Sequence, residues 1–505
     1  MGGYLLGYDV GSSSIKATLL SIDSGTAVAS AASPERELEI QAPRPGWAEQ
    51  DPELWWKHLE QATAQIVSTG VRLTDVEAVG ISYQMHGLVC VDRSGKVLRP
   101  AIIWCDSRAV EIGDKAFAAL GPERCLKNLL NSPGNFTASK LAWVRENQPE
   151  IFKKIDRILL PGDYIAYRLT DRLNTTPSGL SEGILWNFPE GGLAAFLLQH
   201  YGIPENLIAP VVANFALQGG VTAEAAGRLG LKPGIPVAYR GGDQPNNALS
   251  LKVLHPGEVA ATAGTSGVVY GVGDKAVYDS ASRVNTFVHV SHSEAAFRYG
   301  TLLCVNGTGI LNSWLKHNLM TLQGSNTSYD QMNVLASSVP VGADGLVVLP
   351  YGNGAERTLE NKTIGASIRG LDLNRHGRAH LLRAAQEGIV FALRYGLEIM
   401  EGMGLSIDRV RAGAANMFLS PLFAEAFATI SGASVELYDT DGSQGAARGA
   451  GIGAGIFSLD SAFEGLERVR VIEPNSDLAD PYRDAYRRWL KELQWALEAR
   501  ERPIR

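Results

Sequence analysis

The chain lacks a long apolar run, a block of one charge, paired cysteines and the common nucleotide and hydrolase fingerprints. Across its 505 residues no stretch reaches the ~18 consecutive apolar residues of a membrane helix, which excludes a spanning role. The start, MGGYLLGYDVG, has no basic region and carries Asp9 in its apolar run, so it does not read as a signal peptide. Leu6 stands where a myristoylation motif wants Ser or Thr. Lys plus Arg number 46 and Asp plus Glu 53, a net charge of −7. With no basic block, a nucleic-acid partner is disfavoured. Cys90, Cys105, Cys125 and Cys304 form no CxxC pair, which points to reduced thiols and a cytoplasmic location. There is no GxxxxGK[ST] loop and no GxSxG elbow.

Glycine, by contrast, is plentiful. There are 55, against an average share of about 7%. They cluster at Gly7/Gly11, Gly241/Gly242, Gly264/Gly267, Gly307/Gly309, Gly352/Gly354 and Gly442 through Gly455. Glycines grouped at element ends suit a backbone that approaches a ligand closely. Hydrophobic residues at 45% and charged residues at 20% are ordinary for a globular chain. Single cores stop growing at roughly 250–300 residues, so two domains are expected.

Residues 4–22 read as strand, Gly/Ser turn, strand, with Asp9 at the end of the first strand. Asp51-Pro52 opens a helix over 51–69. A strand at 76–82 delivers Gln84, Met85 and His86, and Ile102–Trp104 delivers Asp106 and Arg108. Residues 137–147 are helical in pattern, and 158–170 pass from a strand into a helix capped by Asp163. The strand IPVAY runs into Arg240-Gly241-Gly242-Asp243, and 257–273 repeats the strand, small-polar turn, strand design of residues 4–22. One such hairpin in each half indicates a duplicated α/β domain, divided as 1–247 and 248–505. The second half continues with helices at 308–320, 377–402, 418–431 and 445–457 and a strand at 408–412. The tail helix over 481–500 is expected to pack back on the first domain. It and segment 377–402 offer candidate faces for a homodimer.

Four constellations carry chemistry. In Asp9-Val10-Gly11-Ser12-Ser13-Ser14, turn amides and hydroxyls suit phosphate oxygens and the carboxylate suits a metal held through water. A ligand-free Gly/Ser hairpin is the alternative. Gly264-Thr265-Ser266-Gly267 is the same device in the second half, and two facing hairpins can clamp one polyphosphate. Asp243 at a strand end could accept a proton from an alcohol attacking a γ-phosphate, or it could simply cap the next helix. Gly413-Ala414-Ala415-Asn416 after a strand could seat a flat purine, or could mark a helix packed tightly on that strand.

The order of YDVGSSSIKATL, QMHG, WCDSR, FTASKLAWV, LLPGDYIAYRLT, GGD, GTSG, LPYGNGAERT, IRGLDLNRHGRAHLLRAAQEGI and AGAAN resembles the FGGY carbohydrate kinase family nearly end to end. The resemblance implies an α/β fold of two ribonuclease-H-like (actin-like ATPase) domains with an interdomain cleft, and ATP with Mg²⁺ as cofactors. By it, Asp243 matches the catalytic base and Asp9 the acidic residue near metal and phosphates, with both as candidate metal ligands. Gly264, Thr265 and Ser266 match the second phosphate loop; Gly11, Ser12 and Ser13 of the first turn are the other phosphate candidates, with Lys16 as an extra positive partner and Gly307 as a further nucleotide contact. Gly413 and Asn416 match the adenosine motif. Met85 and His86 are assigned to a small-molecule sugar, with Gln84, Asp106 and Gln244 as further sugar contacts.

QMHG, SKLAWV and LLPGDY are most similar to the family's xylulokinase branch. The implied reaction is therefore phosphorylation of D-xylulose to D-xylulose 5-phosphate. Gln244 is instead similar to glycerol kinases, and Asn135 and Ala412 each replace a glycine of the family pattern. Glycerol, gluconate, ribulose or another polyol is thus the alternative substrate. A catalytically silent, nucleotide-gated regulatory protein is the alternative outside the enzymes.

Gly449-Ala450-Gly451-Ile452-Gly453-Ala454 imitates a dinucleotide fingerprint but has no strand directly before it, so close helix packing is expected. His376 and His380 sit four apart with no third ligand, and His289 and His292 are no better placed for a metal.

Overall fold

The computed structural model describes residues 2–320 and 327–501. Two mixed sheets organise the chain, and both are laid out alike. The first has six strands in the order Phe215–Gly220, Pro236–Gly242, Val76–Tyr83, Tyr4–Val10, Ile15–Ser21, Ala27–Ser33. Its last three strands form an antiparallel meander. Val76–Tyr83 then runs parallel to Tyr4–Val10, and Pro236–Gly242 parallel to Val76–Tyr83. The second sheet has seven strands in the order Asn285–Val288, Tyr299–Val305, Gly267–Gly273, Glu258–Ala263, Arg409–Gly413, Ser434–Tyr438, Arg468–Ile472. Here too a meander is followed by two parallel neighbours, Arg409–Gly413 and Ser434–Tyr438. The repeat of the two hairpins is thus a repeat of whole sheets.

Local signals set the helices. Asp51 accepts from Glu53 N at 3.0 Å and Pro52 opens the helix Pro52–Val67, as its fixed φ permits in the first turn. The helix Thr137–Asn147 has the predicted bounds. In Pro161–Thr170, Asp163 sits in the first turn rather than at the cap. Its carboxylate accepts from Leu160 N at 3.1 Å and pairs with the buried Arg240 at 3.1 Å. The predicted helix at 308–320 divides into an α-helix, Gly309–Leu315, and a π turn, Lys316–Met320.

One expectation about packing is corrected. The tail helix Ser476–Glu501 belongs to the second domain, not the first. Trp489 Nε1 donates to Val348 O at 3.0 Å, Tyr486 donates to Glu398 at 2.9 Å, and Arg383 donates to the Tyr482 hydroxyl at 3.0 Å. The element that crosses back is the helix Gly442–Gly453. It lies on the strands Tyr4–Val10, Val76–Tyr83 and Pro236–Gly242 of the first sheet. The approach is so close that a Cβ on Gly80 would overlap the Ala446 carbonyl oxygen. The imitation fingerprint lies in the interior of this helix, with Gly449 against the Tyr239 ring. A strand, Ser434–Tyr438, does precede the helix, but the glycines serve packing rather than a phosphate turn. The helix Asp243–Ser250 runs between Gly442–Gly453 and the second sheet.

Candidate active site

Register brings the candidate residues together. Asp9 pairs with Ser82, and Ser82 with Gly241. Val10 pairs with Tyr83, and Tyr83 with Gly242. Three adjacent parallel strands therefore end at one level. Asp9, Met85-His86 and Asp243 all emerge from their carboxyl ends, where open α/β sheets bind ligands. Residues Gln84–His86 follow directly from the middle strand, with Gln84 N donating to Val10 O at 2.9 Å.

The two carboxyls at this edge are perturbed in the same direction. Burial, reinforced by Asp9, pushes Asp243 from 3.8 to about 7, against the opposing pull of the Gln244 amides. Burial also raises Asp9, with Asp441 adding to the rise and Ser82 and Lys16 opposing it. A buried carboxylate without a cation in contact favours its neutral form, so this pair suits a proton acceptor beside a cation-binding position. Among the described residues no cluster of three or more His, Cys, Asp or Glu could hold a metal. Two carboxylates are nonetheless what Mg²⁺ takes when phosphates and waters complete its shell. The donor set fits that ion and not a closed protein cage.

His86 has a left-handed backbone, φ 62°, held by Lys140, whose ammonium donates to the His86 and Ile103 carbonyls at 2.9 and 3.0 Å. The Glu182 carbonyl lies 2.9 Å from His86 Nδ1. A carbonyl can only accept, so Nδ1 carries the proton and Nε2 is left as an acceptor. Burial, with Lys140 adding to it, lowers His86 to about 3, which leaves a neutral ring. Phe136 meets that ring edge-on at 4.8 Å, and Phe287 of the second sheet lies 5.6 Å away. The imidazole is thus walled by an aromatic from each domain.

Not every predicted residue reaches this place. Asp106 is fully buried, accepts from Ala48 N at 2.6 Å and is bridged by Arg108, itself stacked 3.8 Å from the Trp47 ring. Its oxygens are committed to the fold. Gln84 is also buried, and its amide nitrogen engages Gln50 at 3.3 Å. Lys16 ion-pairs with Asp441, the N-cap of Gly442–Gly453. Gln244 stays beside Asp243.

Residues with no motif signal complete the site. The carboxyl of Glu182, 2% exposed, lies against Gly242, where a Cβ would come within 2.9 Å of Oε2 and 2.6 Å of Met85 Cγ. Among the described residues neither of its oxygens has a partner at normal hydrogen-bond geometry, and burial raises it well above the usual carboxylate range against the opposing pull of the Tyr83 hydroxyl. Glu182 stands in Leu-Ser-Glu-Gly-Ile-Leu, a stretch with no pattern that sets it apart. Arg357 reaches from the second domain to within 5.7 Å of the Phe136 ring.

The hairpin turns are anchored loops. Gly11 N donates to Ser14 O at 3.0 Å, Leu38 N donates to Ser13 O at 2.8 Å, and Trp104 Nε1 donates to Ser12 Oγ at 3.2 Å. In the second half, Gly309 N and Ile310 N donate to Gly264 O and Thr265 O at 2.9 and 3.1 Å. Gly264, Thr265 and Asn416 border one cavity of about 510 Å³, and Asn416 turns into it with φ 54°. Ser266 and Gly413 adjoin the same turns in sequence. Gly307 packs on the Pro350 carbonyl and lines a neighbouring apolar groove with Trp314 and Ile368. His376 and His380 engage the Asp344 carbonyl and carboxylate at 3.4 and 3.1 Å.

Comparison with known proteins agrees with this layout. Residues 4–250 match the N-terminal domain of the FGGY family of carbohydrate kinases and residues 259–456 its C-terminal domain. The chain is 29% identical to the xylulose kinase of Bacillus subtilis (strain 168), over 98% of this chain and 99% of that one. The crystal structure of xylulose kinase from Rhodospirillum rubrum superposes with a TM-score of 0.88 at 27% identity, covering 99% of this chain and 100% of that one. Gluconate kinase from Lactobacillus acidophilus shares the fold, with a TM-score of 0.86 at 21% identity over 98% of each chain. Both duplicated sheets fall within these matches, and the chain belongs to the FGGY family of carbohydrate kinases.

Proposed function

We propose that this protein transfers the γ-phosphoryl group of ATP to a small ketose, D-xylulose, giving D-xylulose 5-phosphate and ADP. The observation that carries the reading is Asp243. It is a carboxyl raised to about 7, at the strand end beside Met85-His86 and in reach of the field of Asp9. The relatives named xylulose kinase support the choice of sugar.

In the step, the acceptor hydroxyl oxygen attacks the γ-phosphorus in line. Its proton passes to the Asp243 carboxylate, and the bond to the β–γ bridging oxygen breaks to release ADP. A base whose pKa lies near the working pH is suited to this transfer. His86 Nε2 accepts a hydrogen bond from a sugar hydroxyl, while Phe136 and Phe287 exclude water from that side. Asp9, with Asp243, would hold Mg²⁺, which when bound neutralises charge on the phosphates. The turns Gly11–Ser13 and Gly264–Ser266 donate to phosphate oxygens, and the cavity at Gly264, Thr265 and Asn416 takes the adenosine.

Asp243→Ala tests the assignment. We expect ATP binding by calorimetry to persist while transfer falls ~10²–10⁴-fold. A variant that keeps more than about a tenth of kcat would show that Asp243 is not the base.

A further inference from the structure

The helix Tyr329–Ser337 forms one wall of the 510 Å³ cavity and contributes Tyr329, Asp330 and Asn333 to it. No sequence motif pointed to this helix. Behind Asn333 runs a buried chain of hydrogen bonds whose direction is set at its far end. Ser420 is the N-cap of Pro421–Ser431, and its oxygen accepts from Phe423 N at 3.3 Å. Its hydroxyl proton is thereby free to donate to Gln386 Oε1, at 2.8 Å. With that oxygen used, the Gln386 amide nitrogen donates to Asn333 Oδ1, at 2.9 Å. Asn333 is left with its amide nitrogen, which has no partner among the described residues, at the cavity wall.

Gln386 is 1% exposed and Ser420 3% exposed. Reversing the chain would strand the Ser420 hydroxyl proton in a buried place, at the cost of an unsatisfied polar group. The wall therefore presents a donor in fixed orientation. The same cavity is lined by Gly264 and Thr265 of the second turn and by Asn416 and Met417. A flat base in this space must offer an acceptor to that donor.

We propose that Asn333 reads the nucleotide base, donating from Nδ2 to a ring nitrogen of the purine, and that Gln386 and Ser420 are positioning residues that aim it. The proposal rests on the ATP-dependent reaction above and adds the residue that recognises the base. Asp330, three positions earlier on the same helix, supplies an acceptor for an exocyclic amine.

The test is direct binding by calorimetry of ATP and of 1-deaza-, 3-deaza- and 7-deaza-ATP to the full chain and to Asn333→Leu and Asn333→Asp. One neutral hydrogen bond corresponds to about a three- to tenfold change in Kd. We expect one deaza analogue to bind the unmodified chain more weakly than ATP by that factor. Asn333→Leu should show the same loss with ATP and no further loss with that analogue. Asn333→Asp, which keeps the size but removes the donor, should bind ATP at least as weakly. Gln386→Leu should give a smaller loss, with the sugar KM unchanged in all three variants. If Asn333→Leu binds ATP as the parent does, or its loss adds in full to that of every analogue, the proposal is overturned while ATP-dependent transfer by the parent stands. A parent chain that binds no ATP overturns both.

Discussion

Replacing Asp243 with Asn should abolish transfer and at the same time stabilise the unliganded protein. Burial and Asp9 lift the Asp243 carboxyl from 3.8 to about 7. The folded chain therefore holds a proton that the unfolded chain has already released between about pH 4 and pH 7. By linkage, stability contributed by this residue falls as pH rises through that window and stays low above it. At 1.36 kcal/mol per pKa unit the full cost is ~4 kcal/mol. Water at the cleft edge screens part of the field, so ~2 kcal/mol is expected at pH 8. For a domain of this size that corresponds to a rise in Tm of about 4–8 °C. Asn keeps the shape and has no charge to desolvate. Differential scanning fluorimetry of Asp243→Asn and the parent at pH 5 and pH 8 reads the effect. The gap should be small at pH 5 and open at pH 8. An equal gap at both pH values, or a less stable variant at pH 8, would refute the reasoning.

Three further outcomes follow from particular contacts. Because His86 titrates at about 3, sugar affinity should not change through His86 protonation between pH 5 and 8, whereas His86→Ala should raise the sugar KM by about two- to tenfold; a KM that climbs as pH falls through 6 in the parent, and not in the variant, would count against a neutral ring. Gly80→Ala places a methyl on the Ala446 carbonyl and should cost 1–3 kcal/mol or more as an overpacked contact, read by urea denaturation; a variant as stable as the parent would mean that Gly442–Gly453 does not press on the first sheet. Trp489→Ala removes a buried ring and its 3.0 Å bond to Val348 O, for a loss of about 3–5 kcal/mol that hydrogen exchange should localise to the second domain; loss of protection in the strand Tyr4–Val10 instead would contradict the placement of the tail helix.

Much of the candidate site is legible in the sequence because its signals are local. A strand that ends in a carboxylate beside glycine, as at Asp9–Gly11 and Gly241–Asp243, needs no tertiary information to be recognised, and parallel register then stacks those ends. The helix Thr137–Asn147 and the paired hairpins were legible for the same reason. What escaped was set by packing between distant segments. The amphipathic tail helix shows an apolar face but not which sheet it covers, and the small residues of Gly442–Gly453 do not show that they lie on the first domain. Asp106 is expected at the sugar by the resemblance, whereas its carboxylate is taken up by Ala48 N and by Arg108, which stacks on Trp47, contacts that the sequence does not display. Glu182, Phe287 and Asn333 come from unrelated stretches, and only the closed fold brings Glu182 to Gly242, Phe287 to the His86 ring and Asn333 to the cavity at Gly264.

Asp243 is proposed to serve sugar phosphorylation from ATP. A coupled ADP-release assay with Mg-ATP across pentuloses, aldoses, gluconate, glycerol and other polyols, with Asp243→Ala run in parallel, tests it most directly. Strong turnover with D-xylulose that disappears in the variant is expected; no turnover with any acceptor while ATP still binds would refute the role of Asp243.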